Sequence, residues 1–121
     1  MEKELSDFGE LFIENVRDNS LFVFEGILSG HMKGVESKNL CEKLNGLSAQ
    51  ELALIKQIAY KMVDLTIHNT MFFFEQGIDG WKISNSEKNV DDLTSISDGL
   101  AGELYTEDGW IEKYSKYKLE T

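Results

Sequence analysis

The chain has 121 residues, of which 22 are acidic and 12 are lysine or arginine, so its formal net charge is -10 at pH 7. A chain of this length builds one hydrophobic core, and we expect a single domain over residues 1–121. Because an acidic protein repels nucleic-acid phosphates and anionic lipids, its charge argues against binding to either. The lone Cys41 cannot form an intramolecular disulfide, and the first residues lack the apolar run of a signal peptide, so a cytoplasmic location is predicted.

The first predicted element is a helix over residues 6–28. Its apolar residues recur at the spacing of one helical face, which comprises Leu5, Phe8, Phe12, Val16, Val23 and Ile27. Asn19 and Ser20 compete with helical backbone for hydrogen bonds, so a break or bend is expected there. Gly30 is suited to a left-handed cap, and a short second helix is predicted over residues 37–45.

The third predicted helix begins after Ser48 and ends at Gly77. Ser48 and Glu51 have the spacing of a capping box, in which each side chain binds the backbone N–H of the other residue. The first half of the helix has one apolar face, whereas residues 62–74 are apolar nearly all round. We therefore expect the second half to be the central core helix, with the run Phe72, Phe73 and Phe74 inside.

The segment after Gly77 has a different pattern. Residues 81–84 alternate apolar and polar, residues 85–89 are rich in turn formers, and residues 90–93 can return as a second strand, which predicts a two-stranded β-hairpin. Thr106 is placed to cap a final helix with an aromatic inner face. The predicted fold is mainly α with a small β part (α+β), namely a long central helix, a hairpin and a short C-terminal helix.

The acidity is concentrated in the C-terminal third. Residues 75–112 contain ten acids and two lysines, which gives -8 of the total -10. Such a surface is a solvated face that keeps the protein soluble, a docking surface for a basic protein, or, least favoured because no calcium-loop pattern is present, a divalent-cation site. The acidic and aromatic residues predicted to contact that partner are Asp91, Asp92, Asp98, Glu103, Tyr105, Glu107, Asp108 and Trp110.

A small enzyme is the alternative hypothesis. Asp64 and His68 are four residues apart on one helix, so the carboxylate could orient the imidazole as a general base. The carboxylates of Asp98, Glu103 and Asp108 are a second candidate catalytic set. No cofactor or metal is predicted, because the chain has no nucleotide-binding glycine motif, no calcium-loop pattern and no zinc-ligand spacing.

The most specific local string is Ser97-Asp-Gly-Leu-Ala-Gly-Glu-Leu-Tyr-Thr-Glu-Asp-Gly-Trp110. With Asp7-Phe-Gly9, Asn15-Val-Arg-Asp18, Ile67-His-Asn69 and Tyr114-Ser-Lys-Tyr117, it resembles a group of small uncharacterised bacterial proteins, some labelled epimerase. The chain departs from that group at Asn69, where aspartate is expected, and the resemblance implies no catalytic residues. The residues themselves favour a noncatalytic binding or regulatory protein, by analogy with inhibitors and immunity proteins that neutralise a basic partner.

Overall fold

The protein is described by a computed structural model that covers residues 2–119. Its helices, in chain order, are α1 (Glu2–Phe12), α2 (Asn19–Ser29), α3 (Val35–Leu44), α4 (Ala49–Gln76) and α5 (Trp110–Tyr114). The segment between α4 and α5 contains short 3-10 turns at Ile78–Gly80, Leu93–Ile96 and Ala101–Leu104. Within residues 2–119, no helix is both long enough and apolar enough to cross a membrane.

The junction between α1 and α2 is a wider turn rather than a break. Residues Ile13–Asp18 form a π-helix, which we term the π turn, and it joins α1 directly to α2. The break or bend predicted at Asn19 and Ser20 is found just before them, in the π turn, and both residues lie in the regular first turn of α2.

The π turn also changes which residues face the core. A π-helical bond spans one residue more than an α-helical bond, so the inner face moves along the sequence by one position. Ile13, Arg17 and Leu21 are buried as a result, whereas Val16 and Val23, predicted on the inner face, are exposed.

Helix α4 begins and ends as its sequence predicts. The Ser48 hydroxyl accepts from the Glu51 N–H at 3.1 Å, and Glu51 Oε1 accepts from the Ser48 N–H at 2.9 Å, which confirms the capping box. Gly77 ends the helix in the left-handed region, with φ of 64°. That conformation favours glycine because it has no Cβ.

The composition of residues 62–74 predicted that the second half of α4 is enclosed on all sides. That prediction is wrong. Ile67 and Met71 are buried on one face, but Phe72 and Phe73 are 41% and 39% exposed. The neighbouring elements pack on one side of α4 only, so apolar residues on its opposite side stay in water.

The core lies between α1, the π turn, α4 and the C-terminal segment. Its buried cluster consists of Ile13, Ile67, Met71, Leu93, Leu100, Ala101, Leu104 and Trp110. Trp110 packs so closely on α1 that a Cβ at Gly9 would lie 2.4 Å from the indole ring. A hydrogen bond between Ser6 and the Tyr114 hydroxyl also joins α1 to α5.

The predicted β-hairpin is wrong, since the described part of the chain contains no β-strand. Residues 81–93 form a loop with one antiparallel bridge, in which Asn85 and Val90 exchange backbone hydrogen bonds of 2.8 and 2.9 Å. Asn89 has a positive φ of 57°, and Asp92 accepts from the Thr94 N–H, which starts a 3-10 turn where the second strand was expected. The fold is therefore mainly helical, without the predicted β part.

The final helix begins later than predicted. Thr106 has a φ of 76° and does not cap it; α5 begins after Gly109 and is five residues long. A Cβ at Gly109 would lie 2.0 Å from the Tyr105 carbonyl oxygen, so this close backbone approach requires glycine.

Candidate functional site

A cleft of about 610 Å³ opens between the first turn of α1 and the segment that runs from Asp98 to α5. We term it the acidic cleft. Its charged lining residues are Glu2, Lys3, Asp98, Glu103, Asp108 and Lys113. Four acids and two lysines leave an excess of two negative charges around the cleft.

Short hydrogen bonds hold the acidic side of the cleft in place. Glu75, near the end of α4, accepts from the Ala101 N–H at 2.9 Å and so attaches the 3-10 turn Ala101–Leu104 to α4. The Ser97 hydroxyl donates to Glu103 Oε2 at 2.6 Å and accepts from the Gly99 N–H at 3.2 Å. The backbone around Glu103 is therefore anchored to a long helix rather than free to move as a loose loop.

Trp110 forms an apolar wall of the cleft. It is 4% exposed, and its ring lies 5.8 Å from the ring of Phe8 and 6.5 Å from the ring of Phe12, measured between centroids. Because Trp110 is held by the core, the cleft has one rigid side. Exposed carboxylates of Asp98 and Asp108 stand beside this wall.

The structure brings together four of the eight residues predicted to contact a partner. Asp98, Glu103, Asp108 and Trp110 all line the acidic cleft, although the first and last are twelve positions apart in the chain. Within residues 2–119, none of these three acids takes part in an ion pair. Their charge is therefore available to a ligand.

The other four predicted residues lie elsewhere. Asp91 pairs with Lys82 at 3.0 Å on the surface, and Asp92 caps the Leu93–Ile96 turn through Thr94. Tyr105 lies against α4, and Glu107 is exposed outside the lining of the cleft.

The predicted pair of Asp64 and His68 does not form. Asp64 instead accepts from the guanidinium of Arg17, at 2.6 Å from Nε and 3.4 Å from Nη2. His68 Nδ1 lies 3.0 Å from the Tyr105 hydroxyl oxygen, and its ring stacks on Phe72. Partial burial, and then the charge of Asp64, raise the pKa of Tyr105 above its ordinary value. Asp64 and His68 therefore contact different partners rather than each other.

Arg17 is the centre of a cluster that sequence reasoning missed. Its Nη1 donates to Ser115 at 2.6 Å and to the Tyr117 carbonyl, while Ser115 donates to Asp18 at 2.5 Å. Asp18 also accepts from the Lys116 N–H at 2.8 Å. We term Arg17, Asp18, Asp64 and Ser115 the Arg17 cluster; Arg17 is 3% exposed and Asp18 is 6% exposed.

A signal for the Arg17 cluster was present in the chain. Arg17 lies midway between Ile13 and Leu21, at the four-residue spacing of a helical face. A buried charge flanked in this way requires partners, which the π turn and the C-terminal segment provide. These bonds hold the C-terminal segment on the helices, and Arg17 and Asp64 also line a small cavity of about 210 Å³.

Metal-ligating side chains do not cluster in the described residues. Within residues 2–119, no group of three or more histidine, cysteine, aspartate or glutamate side chains is placed to hold a metal ion.

Comparison with known proteins assigns neither a family nor a function to the chain. No protein-family model, no curated protein and no solved structure matches the chain. The resemblance of residues 97–110 to a bacterial group stays a prediction, and the site must be judged by its geometry.

Proposed function

We propose that this protein is a noncatalytic binding protein whose acidic cleft receives a lysine or arginine side chain of a basic protein partner. The proposal rests on one observation: Asp98, Glu103 and Asp108 line the same cleft, beside Trp110. An apolar wall with carboxylates beside it matches a side chain that has an apolar stem and a cationic end.

The distribution of charge supports the same partner. The segment from residue 75 to residue 112 carries -8, so the surface around the cleft attracts a basic protein from a distance and repels an acidic one. The excess of only two negative charges at the lining favours one or two inserted side chains over a polycation. Binding of this kind would let the protein regulate or inhibit its partner.

Tryptophan fluorescence can report binding at the cleft. The chain has two tryptophans, Trp81 and Trp110, so a Trp81→Phe background leaves the cleft residue as the sole reporter. In that background we would titrate a short arginine-containing peptide and the same peptide with citrulline in place of arginine. We expect a saturable change with the first peptide only, and a response that weakens as NaCl rises from about 50 to 300 mM.

Two triple variants of equal charge separate the cleft from the net charge. D98N/E103Q/D108N removes the cleft carboxylates, while D79N/D91N/E107Q removes three exposed acids outside the cleft lining. The first variant is expected to lose at least about tenfold in peptide affinity, whereas the second should stay within about threefold of the parent. Equal losses in both variants, or an equal response to the citrulline peptide, would overturn the proposal.

A further inference from the structure

The side of α4 that faces away from the core is apolar over most of its length. Six large apolar side chains on it are between 39% and 57% exposed, and we term them the outer face of α4: Leu54, Ile58, Met62, Leu65, Phe72 and Phe73. The first four are spaced by three or four residues and Phe72 follows Leu65 by seven, so with Phe73 beside it the set lies on one helical side, opposite the buried Tyr60, Ile67 and Met71. Helix α4 thus has one apolar side that packs on the core and a second apolar side that stays in water.

The exposed area is of the size that an interface uses. At about 150–250 Å² for a fully accessible side chain of this size, the six residues leave on the order of 500 Å² of apolar surface in water. A stable interface buries about 800 Å² on each partner, so this apolar patch supplies more than half of that area and the exposed polar residues beside it on α4 supply the rest. A patch of this size is at the upper end of what monomers expose and is often functional.

The charge of α4 indicates which partner covers the face. Between Glu51 and Glu75 the helix has one acid, Asp64, which is paired with Arg17, and two lysines, Lys56 and Lys61. In a protein of net charge -10, this is a surface on which two copies can meet without opposing acidic groups. A basic partner, by contrast, is attracted to the acidic segment and not to this helix.

We infer that the outer face of α4 pairs with the same face of a second copy, so that the protein is a homodimer with two antiparallel α4 helices at its centre. In that arrangement most of the face meets apolar residues of its own kind, and the polar Asn69 lies opposite the partner's Ile58. A twofold axis that crosses α4 between residues 63 and 64 places Leu54 against the partner's Phe73 and Met62 against the partner's Leu65. An isologous contact of this kind closes on itself and forms a dimer rather than a fibre.

The size of α4 agrees with this arrangement. Its 28 residues span about 42 Å at the α-helical rise, longer than the core beneath it needs. Antiparallel helices that cross at a shallow angle remain in contact over such a length. The inference is independent of the acidic cleft, because Leu54–Phe73 contributes no residue to its lining.

Sedimentation equilibrium of the full chain tests the dimer directly. We expect the average mass to rise with concentration toward twice 13.8 kDa. Added salt should strengthen the association, because it screens repulsion between two copies of charge -10. A chain that remains at 13.8 kDa at a concentration on the order of 100 µM would overturn the inference without the need for any variant.

Two glutamate variants locate the interface. Met62→Glu places a charge beside the proposed axis and is expected to leave only monomer at concentrations where the parent is dimeric. Val35→Glu is the matched control, since Val35 is 77% exposed at the start of α3 and away from α4. Far-UV circular dichroism establishes that both variants fold. A dimeric Met62→Glu variant, or equal loss of dimer in both, would refute the assignment of this face.

Spin-label distances determine the orientation of the helices. In a Cys41→Ser background, labels at Gln50→Cys and at Gln57→Cys should lie about 40 Å and about 20 Å from their symmetry mates along the helix axis. Parallel helices would give the same distance at both positions. Equal distances would therefore exclude the antiparallel pairing, even if the protein is a dimer.

Discussion

Asp18 and Asp64 lie against Arg17, whereas Asp98 and Asp108 face an open cleft. In the Arg17 cluster each charge has a named partner, and Arg17 itself is 3% exposed. In the acidic cleft, within the part of the chain that the structure describes, no lysine or arginine pairs with the carboxylates. Acids with internal partners stabilise a fold, while acids without them are free to attract a ligand.

The count of acidic residues alone does not locate a binding surface. The acids of the Arg17 cluster come from the nearly neutral helical part of the chain, yet their ionic partner, Arg17, is almost wholly buried. The acids of the C-terminal third divide into those that cap or pair locally, such as Asp91 and Asp92, those that line the cleft, and exposed acids elsewhere, such as Asp79 and Glu107.

The largest expected effect is that of removing the buried cation. Arg17→Met should lower the free energy of unfolding by about 3–5 kcal/mol, because it leaves two carboxylates without their partner. Urea denaturation followed by circular dichroism measures this loss. The variant R17M/D18N/D64N should recover part of it, since it removes the unpaired charges as well.

A surface pair provides the control for that experiment. Lys82→Met breaks an ion pair with Asp91, whose side chain is almost fully exposed, and should cost less than about 1 kcal/mol. If Arg17→Met costs no more than Lys82→Met, the contrast between buried and exposed charges is wrong.

A smaller loss is expected at Ser115, which connects the two sides of the cluster. Ser115→Ala removes a hydrogen bond to Asp18 and one from Arg17, so it should lower the free energy of unfolding by about 1–3 kcal/mol. Ser95→Ala removes an exposed hydroxyl bond to the Asp92 carbonyl and should change stability by less than about 0.5 kcal/mol. Similar values for the two variants would contradict the role given to Ser115.

Alkaline pH tests the burial around Arg17 in another way. Tyr60, buried beside Arg17, has its pKa raised from 10.0 to about 12, first by burial and then by the charge of Glu25. Because the unfolded phenol loses its proton near pH 10 and the folded one near pH 12, the stability is fully present below pH 10 and falls as pH rises toward 12. The Tyr60→Phe variant should show a flatter decline in unfolding free energy over that interval. Parallel declines would show that Tyr60 is not buried as described.

The smallest expected effect on stability is that of the cleft variant. D98N/D108N should stay within about 0.5 kcal/mol of the parent in unfolding free energy, because within residues 2–119 these two carboxylates have no hydrogen-bond or ionic partner to lose. The same protein is expected to lose peptide binding. A large loss of stability would mean that the cleft acids hold the fold together, and the distinction between the two regions would fail.

Sequence patterns predicted both ends of α4 and the glycine cap of α2 correctly, because a helix end depends on residues within about one turn of each other. The capping box of Ser48 and Glu51 and the left-handed glycines at positions 30 and 77 are present, since each depends on residues close along the chain. The pattern failed at residues 81–93, where alternation predicted two strands. A loop with one bridge formed instead, because the Asp92 cap and the positive φ at Asn89 end any regular pairing.

Helical periodicity predicted the wrong inner face where the backbone changes from an α-helix to a π-helix. The inner face predicted through Val16 and Val23 assumed 3.6 residues per turn throughout, and the π turn moved that face to Arg17 and Leu21. The composition of residues 62–74 indicated a helix enclosed on all sides. It could not indicate that neighbours would cover one side only and leave Phe72 in water.

By itself the sequence determined the helical character, the ends of α4 and the location of most of the negative charge, because these follow from local spacing and from counting residues. The tertiary structure alone decided which acids share a cleft, which are neutralised by Arg17 and which side of α4 stays exposed. The bonds from Arg17 to Asp64 and to Ser115 join residues 47 and 98 positions apart. Such contacts depend on how the whole chain packs, and no local pattern encodes them.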